Sequence, residues 1–122
     1  MDSVEFIVLR NLLHNEDYIR YVIAFIKPEY FEDLTQKIVF EEIYSFVEQY
    51  NKPATKEILC IEAEKRNDIN DSSFKDVTKL VTSLDEDWLN KISTNSAEFN
   101  WLIATTEKWC RDRAIYLALM ES

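Results

Sequence analysis

The 122-residue chain is long enough for one ordinary domain and too short for two; with 47% apolar residues, seven Phe, six Tyr and three Trp, it holds the material for an unaided core. It contains no glycine, which excludes a P-loop and a dinucleotide fingerprint, because both need glycine where backbone approaches phosphate, and which disfavours the tight hairpins of sheet-rich folds. Fourteen Lys and Arg against 23 Asp and Glu leave a formal net charge of −9, a surface that repels nucleic acid overall, since affinity for phosphate backbones comes mainly from basic residues.

In chain order, Asp2 or Ser3 can cap a first helix over about Val4 to His14, with Phe6, Leu9 and Leu13 as its apolar stripe. Asn15 breaks the run. A second helix is predicted over about Glu16 to Ile26, with Ile19, Val22, Ile23 and Ile26 on one face. Pro28 pushes Lys27 out of helical geometry, so the chain turns there, and Tyr30 and Phe31 plug the core from the connector.

A third, longer helix runs from about Glu32 or Asp33 to Tyr50. Leu34, Ile38, Ile43, Phe46, Val47 and Tyr50 repeat at helical spacing, while Gln36, Lys37, Glu41, Glu42 and Glu48 fall largely on the other side. Asn51-Lys52-Pro53 ends it. Thr55 can cap a fourth helix carrying Ile58, Leu59, Ile61 and Ala63. A polar loop from Arg66 to Ser72 leads to a fifth helix with Phe74, Val77, Leu80, Val81 and Leu84 on one face. Asp85-Glu86-Asp87 then opens a connector with Trp88 and Leu89. No glycine-pivoted EF-hand loop surrounds those acids, so they read as an acidic helix start or a solvated loop.

Asn95 with Glu98 fits a capping box, and one helix is predicted from there to the C-terminus. Wound at about 100° per residue, it puts Phe99, Leu102, Ile103, Cys110, Ala114 and Leu117 on a core-facing side and Trp101, Ala104, Ile115 and Leu119 opposite. The stretch Ala114-Ile115-Tyr116-Leu117-Ala118-Leu119-Met120 is apolar all round and needs cover on every side. Nothing in the sequence is left over to supply it. Another copy, another protein or a missing arm of the same chain would have to.

Chemistry is sparse. Cys60 and Cys110 lie far apart with no CxxC, and His14 is the only histidine, so a zinc set is not recognisable and two buried reduced thiols are expected. His14 sits at a helix end with no nucleophile near it in sequence, which favours a capping role. Glu41 and Glu42 lack the His partners of a di-iron motif. Arg113 falls on the core side of its helix and reads as a structural arginine paired with Glu107 or another acid. No catalytic, cofactor or metal site is expected in this chain. The excess acid is either a solubility device or a complement to a basic patch on a partner. Met1 is followed by no basic n-region, and the apolar runs fall far below the roughly 20 residues of a membrane span. A cytoplasmic protein is expected.

The order of these segments resembles the N-terminal domain of DnaB-type replicative helicases, in particular the branch of T4-like bacteriophages. The residues that carry the resemblance are Phe6-Ile7-Val8-Leu9-Arg10-Asn11-Leu12-Leu13, Pro28-Glu29-Tyr30-Phe31, Ile38-Val39-Phe40-Glu41-Glu42-Ile43, Tyr50-Asn51-Lys52-Pro53-Ala54, and Phe99, Leu102 and Ile103 followed by Glu107 and Arg113. Each piece is weak alone; order and separation make the likeness. It implies a collar domain on a hexameric ring, where helical hairpins of neighbouring subunits pair and where primase and helicase loader dock. The ATP- and Mg-dependent motor would lie C-terminal to this region, absent from this chain.

The expected architecture is thus all-α: a small orthogonal bundle of about six helices, residues 1–94, ending in a long helix, residues 95–122, that would form the first arm of a hairpin within the same single domain. Trp101, Trp109, Ile115, Tyr116 and Leu119 are the expected protein-contact residues. Pro28, Tyr30, Phe31, Glu107 and Arg113 are the expected structural ones. Two alternatives are the helicase-binding domain of a DnaG-type primase and a free-standing acidic phage protein that mimics DNA. The latter needs carboxylates arrayed on one face, whereas here they are scattered over most helices.

Overall fold

A computed structural model describes residues 3–84 and 97–121. Among them are six α-helices and one 3-10 turn, with no strand. The expected Asp85-Glu86-Asp87 connector with Trp88 and Leu89, and the Asn95 cap, lie outside the described residues.

Side-chain caps set most helix starts, as the distribution of Ser, Asn, Asp and Thr predicts. Helix α1, Val4–His14, begins where Ser3 Oγ accepts the Phe6 N–H at 3.2 Å. Asn15 ends α1 and starts α2, Glu16–Val22: its N–H donates to Asn11 O at 2.8 Å, and its Oδ1 accepts the Tyr18 N–H at 3.1 Å. One residue therefore turns the corner between two helices without a loop. Beneath it the Asn11 side chain, wholly buried, donates to Ile7 O at 2.9 Å.

Regular helix in α2 stops at Val22, short of the expected Ile26. Phe25 and Ile26 turn back to the Val22 carbonyl, and Lys27, ahead of Pro28, is fully extended at φ −122°, ψ 148°. Proline's demand on its predecessor reaches back into the helix end. Pro28–Tyr30 forms a 3-10 turn with proline at its first position, where its missing N–H costs nothing. Asp33 then caps α3, Leu34–Tyr50, with Oδ1 on the Gln36 N–H at 3.0 Å. The C-terminus of α3 falls on Asn51, which takes the left-handed conformation at φ 57°. In a chain without glycine, asparagine is the residue that enters that region most readily. Helices α4, Lys56–Glu64, and α5, Asp71–Ser83, are capped by Thr55 and Asn70. Helix α6, Ala97–Met120, follows.

Helix α3 packs against α1, α4, α5 and the 3-10 turn, and α6 closes the bundle over α1, α2 and that turn. Fully buried side chains come from every helix: Leu9 and Leu12, Tyr18 and Val22, Phe40 and Ile43, Leu59, Val81, and Phe99 and Leu102. Burial of side chains this size stabilises by roughly 1.5–3 kcal/mol each before entropy is charged. The apolar spacing over-extends at helix ends. Leu34 and Tyr50, expected on the core stripe of α3, are 64% and 57% exposed, because the stripe runs past the helices that face it. Ile61 on α4 is likewise open to solvent.

Two polar links join elements distant in sequence. His14, the last residue of α1, donates its Nε2–H to Leu84 O at 2.6 Å, tying the end of α1 to the end of α5. Arg66, just past α4, reaches back to α3 and pairs with Glu42 at 2.7 Å and Glu41 at 3.1 Å, and with Asp68 at 2.7 Å. Its guanidinium is held above its ordinary range by Asp68 first and then by Glu42 and Glu41, while the same contact draws Asp68 down. Sequence periodicity placed Glu41 and Glu42 toward solvent; a cation from the next loop turns them into the anchor of α4 on α3.

Candidate interaction surface

Helix α6 changes character along its length. Its first half is a packed element. Phe99, Leu102, Thr106, Trp109 and Cys110 are buried, spaced by three and four as one helical face requires. Tyr18 reaches this face from α2. The Thr106 hydroxyl donates to Leu102 O at 2.8 Å, so the Tyr18 hydroxyl, 2.7 Å from Thr106 Oγ1, is the donor to it. Burial pushes the Tyr18 phenol up, with the Thr106 hydrogen bond opposing. The Cys110 thiol is pushed up to about 12, by burial first and the Glu107 carboxylate second. Such a thiol stays protonated and unreactive at neutral pH.

Trp109, expected at a protein interface, is a core residue. Its ring meets Phe31 edge-on at 5.0 Å and Tyr30 at 6.1 Å, and the side chain is buried. The correction has a simple cause: Tyr30 and Phe31 approach from the connector on the flank of α6 where Trp109 points, which helical phase within α6 cannot reveal. Pro28, Tyr30 and Phe31 do form the corner against which α6 rests, with Tyr30 and Phe31 buried.

Arg113 stands where the packed half ends. Its Nε donates to Tyr30 O at 2.7 Å, its Nη1 meets Glu32 at 3.0 Å, and its guanidinium lies over the Tyr116 ring at 4.9 Å. Of the expected partners, Glu107 or another acid, Glu107 is exposed. Its place is taken by Glu32, brought near by the turn after Pro28. Arg113 thus clips α6 to the corner and steadies Tyr116 with a cation–π contact.

Beyond that clip most side chains are open to solvent. Ile115 is 55%, Tyr116 47%, Leu119 70% and Met120 67% exposed. Ala114, read from phase as core-facing, is exposed too, and Leu117 is half-buried. Ala114, Leu117, Ala118 and Glu121 line one side of a shallow groove of about 290 Å³, with Lys27, Glu29 and Tyr30 on the other. On the outer face of the packed half, Trp101 is 51% exposed. Four of the five residues expected to contact other proteins, Trp101, Ile115, Tyr116 and Leu119, are therefore accessible on one helix. Sequence periodicity did not single out Tyr21, exposed on α2 and edge-on to Phe99 at 5.6 Å.

The described residues offer no group of three or more His, Cys, Asp or Glu side chains placed to hold a metal ion. No described helix is long and apolar enough to cross a membrane. What α6 can do chemically is bury apolar area against another helix.

Comparison with known proteins supplies the family. The sequence model of the DnaB-like helicase N terminal domain matches residues 2–90. The chain is also similar to a DnaB-like replicative helicase of Enterobacteria phage T4, at 25% identity over 112 residues, covering 92% of this chain and 22% of that protein. This chain spans only a small part of that relative. No solved structure matches it.

Proposed function

The chain belongs to the family of DnaB-like helicase N-terminal domains, and from that premise we propose that it is the non-catalytic collar domain of a phage replicative DNA helicase. In this reading it acts in DNA replication in the host cytoplasm, holding the subunits of a hexameric ring together and presenting a docking surface to primase and helicase loader. The ATP and Mg chemistry belongs to a separate motor domain, as befits a chain without a glycine to build a phosphate-binding loop. Its own contact with DNA is slight, given a net charge of −9.

The observation that carries the reading is the end of α6. Ile115, Leu119 and Met120 stand exposed on a helix whose direction is fixed by Arg113 and the Pro28–Phe31 corner. Rigid, apolar and uncovered surface of this kind marks a contact with another protein. Replacing Ile115 and Leu119 together by Asp is expected to abolish self-association in sedimentation while leaving far-UV helicity intact. Association undiminished in the double variant would overturn the assignment of this helix as the assembly surface.

A further inference from the structure

We propose that the groove between α2 and the turn after α3 receives a short acidic segment of another protein. One apolar side chain of that segment enters the groove, and its carboxylates rest on Arg20 and Lys52. No residue of α6 lines this groove. The proposal therefore concerns a surface apart from the assembly face and goes beyond the collar reading.

Local structure builds the groove. Glu16, Ile19, Arg20 and Ile23 recur at steps of three and four, so α2 and its last cap residue turn one stripe toward it. Across from them, α3 ends on Asn51, whose left-handed backbone at φ 57° brings Lys52 and Pro53 beside α2. Ile19 is 4% exposed and seals the floor. Ile23, Val47 and Pro53 are half-buried and keep apolar surface open. The space is about 290 Å³, room for one large apolar side chain and too small for a helix.

Charge selects what accompanies that side chain. Glu16 Oε1 is shared by Arg20 Nη2 at 3.0 Å and Lys52 Nζ at 3.7 Å, with the two cationic side chains 67% and 70% exposed. Two cations thus attend one carboxylate. At its longer distance the Lys52 ammonium is beyond hydrogen-bond reach of Glu16, which leaves its donors open to an incoming acceptor. Asp17, 3.9 Å from Arg20 Nη1, lies outside the lining. In a chain of net charge −9, a local excess of cations needs a reason. The groove beside Arg66 balances Lys37 and Arg66 against Glu41 and Asp68, and those at Tyr30 and at Asp33 each set one lysine against two acids. A carboxylate entering between Arg20 and Lys52 evens the local charge, whereas a basic segment would add to the excess. A phosphate backbone would match the cations but leave the apolar floor unused, and two cations are few against so acidic a surface. An apolar slot with a cationic rim fits an acidic peptide.

The probe is a fluorescein-labelled, end-blocked heptapeptide with a central leucine, an aspartate on each side of it and serine elsewhere. Titrated with the whole wild-type chain in low salt, its anisotropy should rise with a dissociation constant of about 100 μM, and added salt should weaken the complex. Arg20→Glu with Lys52→Glu should weaken binding about tenfold, with far-UV helicity unchanged. Glu16→Gln should tighten it about threefold, because the resident carboxylate no longer competes for the two cations. Loss of a merely structural ion pair would not move affinity in that direction. The same peptide with serine in place of leucine should bind about tenfold more weakly. Ile115→Asp with Leu119→Asp should leave peptide binding unchanged, which separates failure of this groove from failure of the assembly face. No binding at millimolar chain, or equal affinity in the charge-reversed variant or for the serine peptide, would overturn the proposal. So would a fluorescein-labelled single-stranded oligonucleotide that binds more tightly than the peptide and loses its affinity in the charge-reversed variant, which would give the groove to phosphate.

Discussion

The two halves of α6 are parts of one continuous helix, yet they obey opposite rules. From Ala97 to Cys110 one face is packed into the core, with Phe99, Leu102 and Thr106 1–2% exposed, while Trp101 stands out on the other. From Ala114 to Met120 the sequence is more apolar, but no side chain is buried and Leu119 is 70% exposed. Hydrophobicity therefore does not decide burial along this helix. The presence of facing elements does: α1, α2 and the Pro28–Tyr30 turn cover the first half, whereas in the second the half-buried Leu117 alone, among the described residues, packs against the core. Burial energy in the first half is spent within the chain, whereas in the second it remains available for association.

The sharpest way to break this contrast is to truncate one apolar residue in each half. Phe99→Ala leaves a cavity between α2 and α6, where it also strips Tyr21 of its ring partner, and should cost about 3–5 kcal/mol in urea unfolding. Leu119→Ala, measured at protein concentrations low enough to keep the chain monomeric, should change stability by about 0.5 kcal/mol or less. Comparable losses at the two sites would mean that the last turns are covered by their own chain.

Why the sequence revealed one half better than the other follows from the same contrast. Helix starts were legible because Ser3, Asn15, Asp33, Thr55 and Asn70 cap by local hydrogen bonds to residues three positions on. The inner face of α6 was legible because its phase is local too. Trp109, Leu34, Tyr50 and Ile61 were misplaced because their burial depends on what lies opposite, a question of tertiary neighbours that periodicity does not contain. Arg66 with Glu41 and Glu42 was invisible for the related reason that two dozen residues separate its partners. Arg113 was recognised as structural from its phase, but its acid was not, since Glu32 reaches it only through the corner at Pro28.

Raising the pH should loosen the packed half selectively. Tyr18 and Cys110 are both held protonated by burial, so their folded-state values exceed the unfolded ones. The stability they contribute is complete below the unfolded values and drains away as pH rises toward the folded ones. For Cys110 the window runs from 9.0 to about 12, and for Tyr18 it opens at 10.0. Thermal midpoints should therefore stay level up to about pH 9 and fall above it. Cys110→Ala should delay the onset, and Tyr18→Phe should flatten the steeper fall beyond it, at the expense of about 1 kcal/mol at neutral pH for the lost bond to Thr106. A decline equally steep in the double variant would assign alkaline sensitivity to other groups.

The smallest expected effect falls at the joint between the halves. Arg113 bonds Tyr30 O and Glu32, but Glu32 is 75% exposed, so solvent screens the ion pair and most of its value lies in the carbonyl bond. Arg113→Met should reduce global stability by only about 1 kcal/mol. Its larger signature is local. Amide exchange over residues 114–120 should quicken about tenfold, because those turns lose the Arg113 tie to the corner while the packed half keeps its own contacts. Glu32→Gln, which spares the Tyr30 carbonyl bond, should leave that exchange nearly unchanged. If the two variants instead behave alike, the exposed ion pair holds the projecting turns, and the corner built by Pro28, Tyr30 and Phe31 does not.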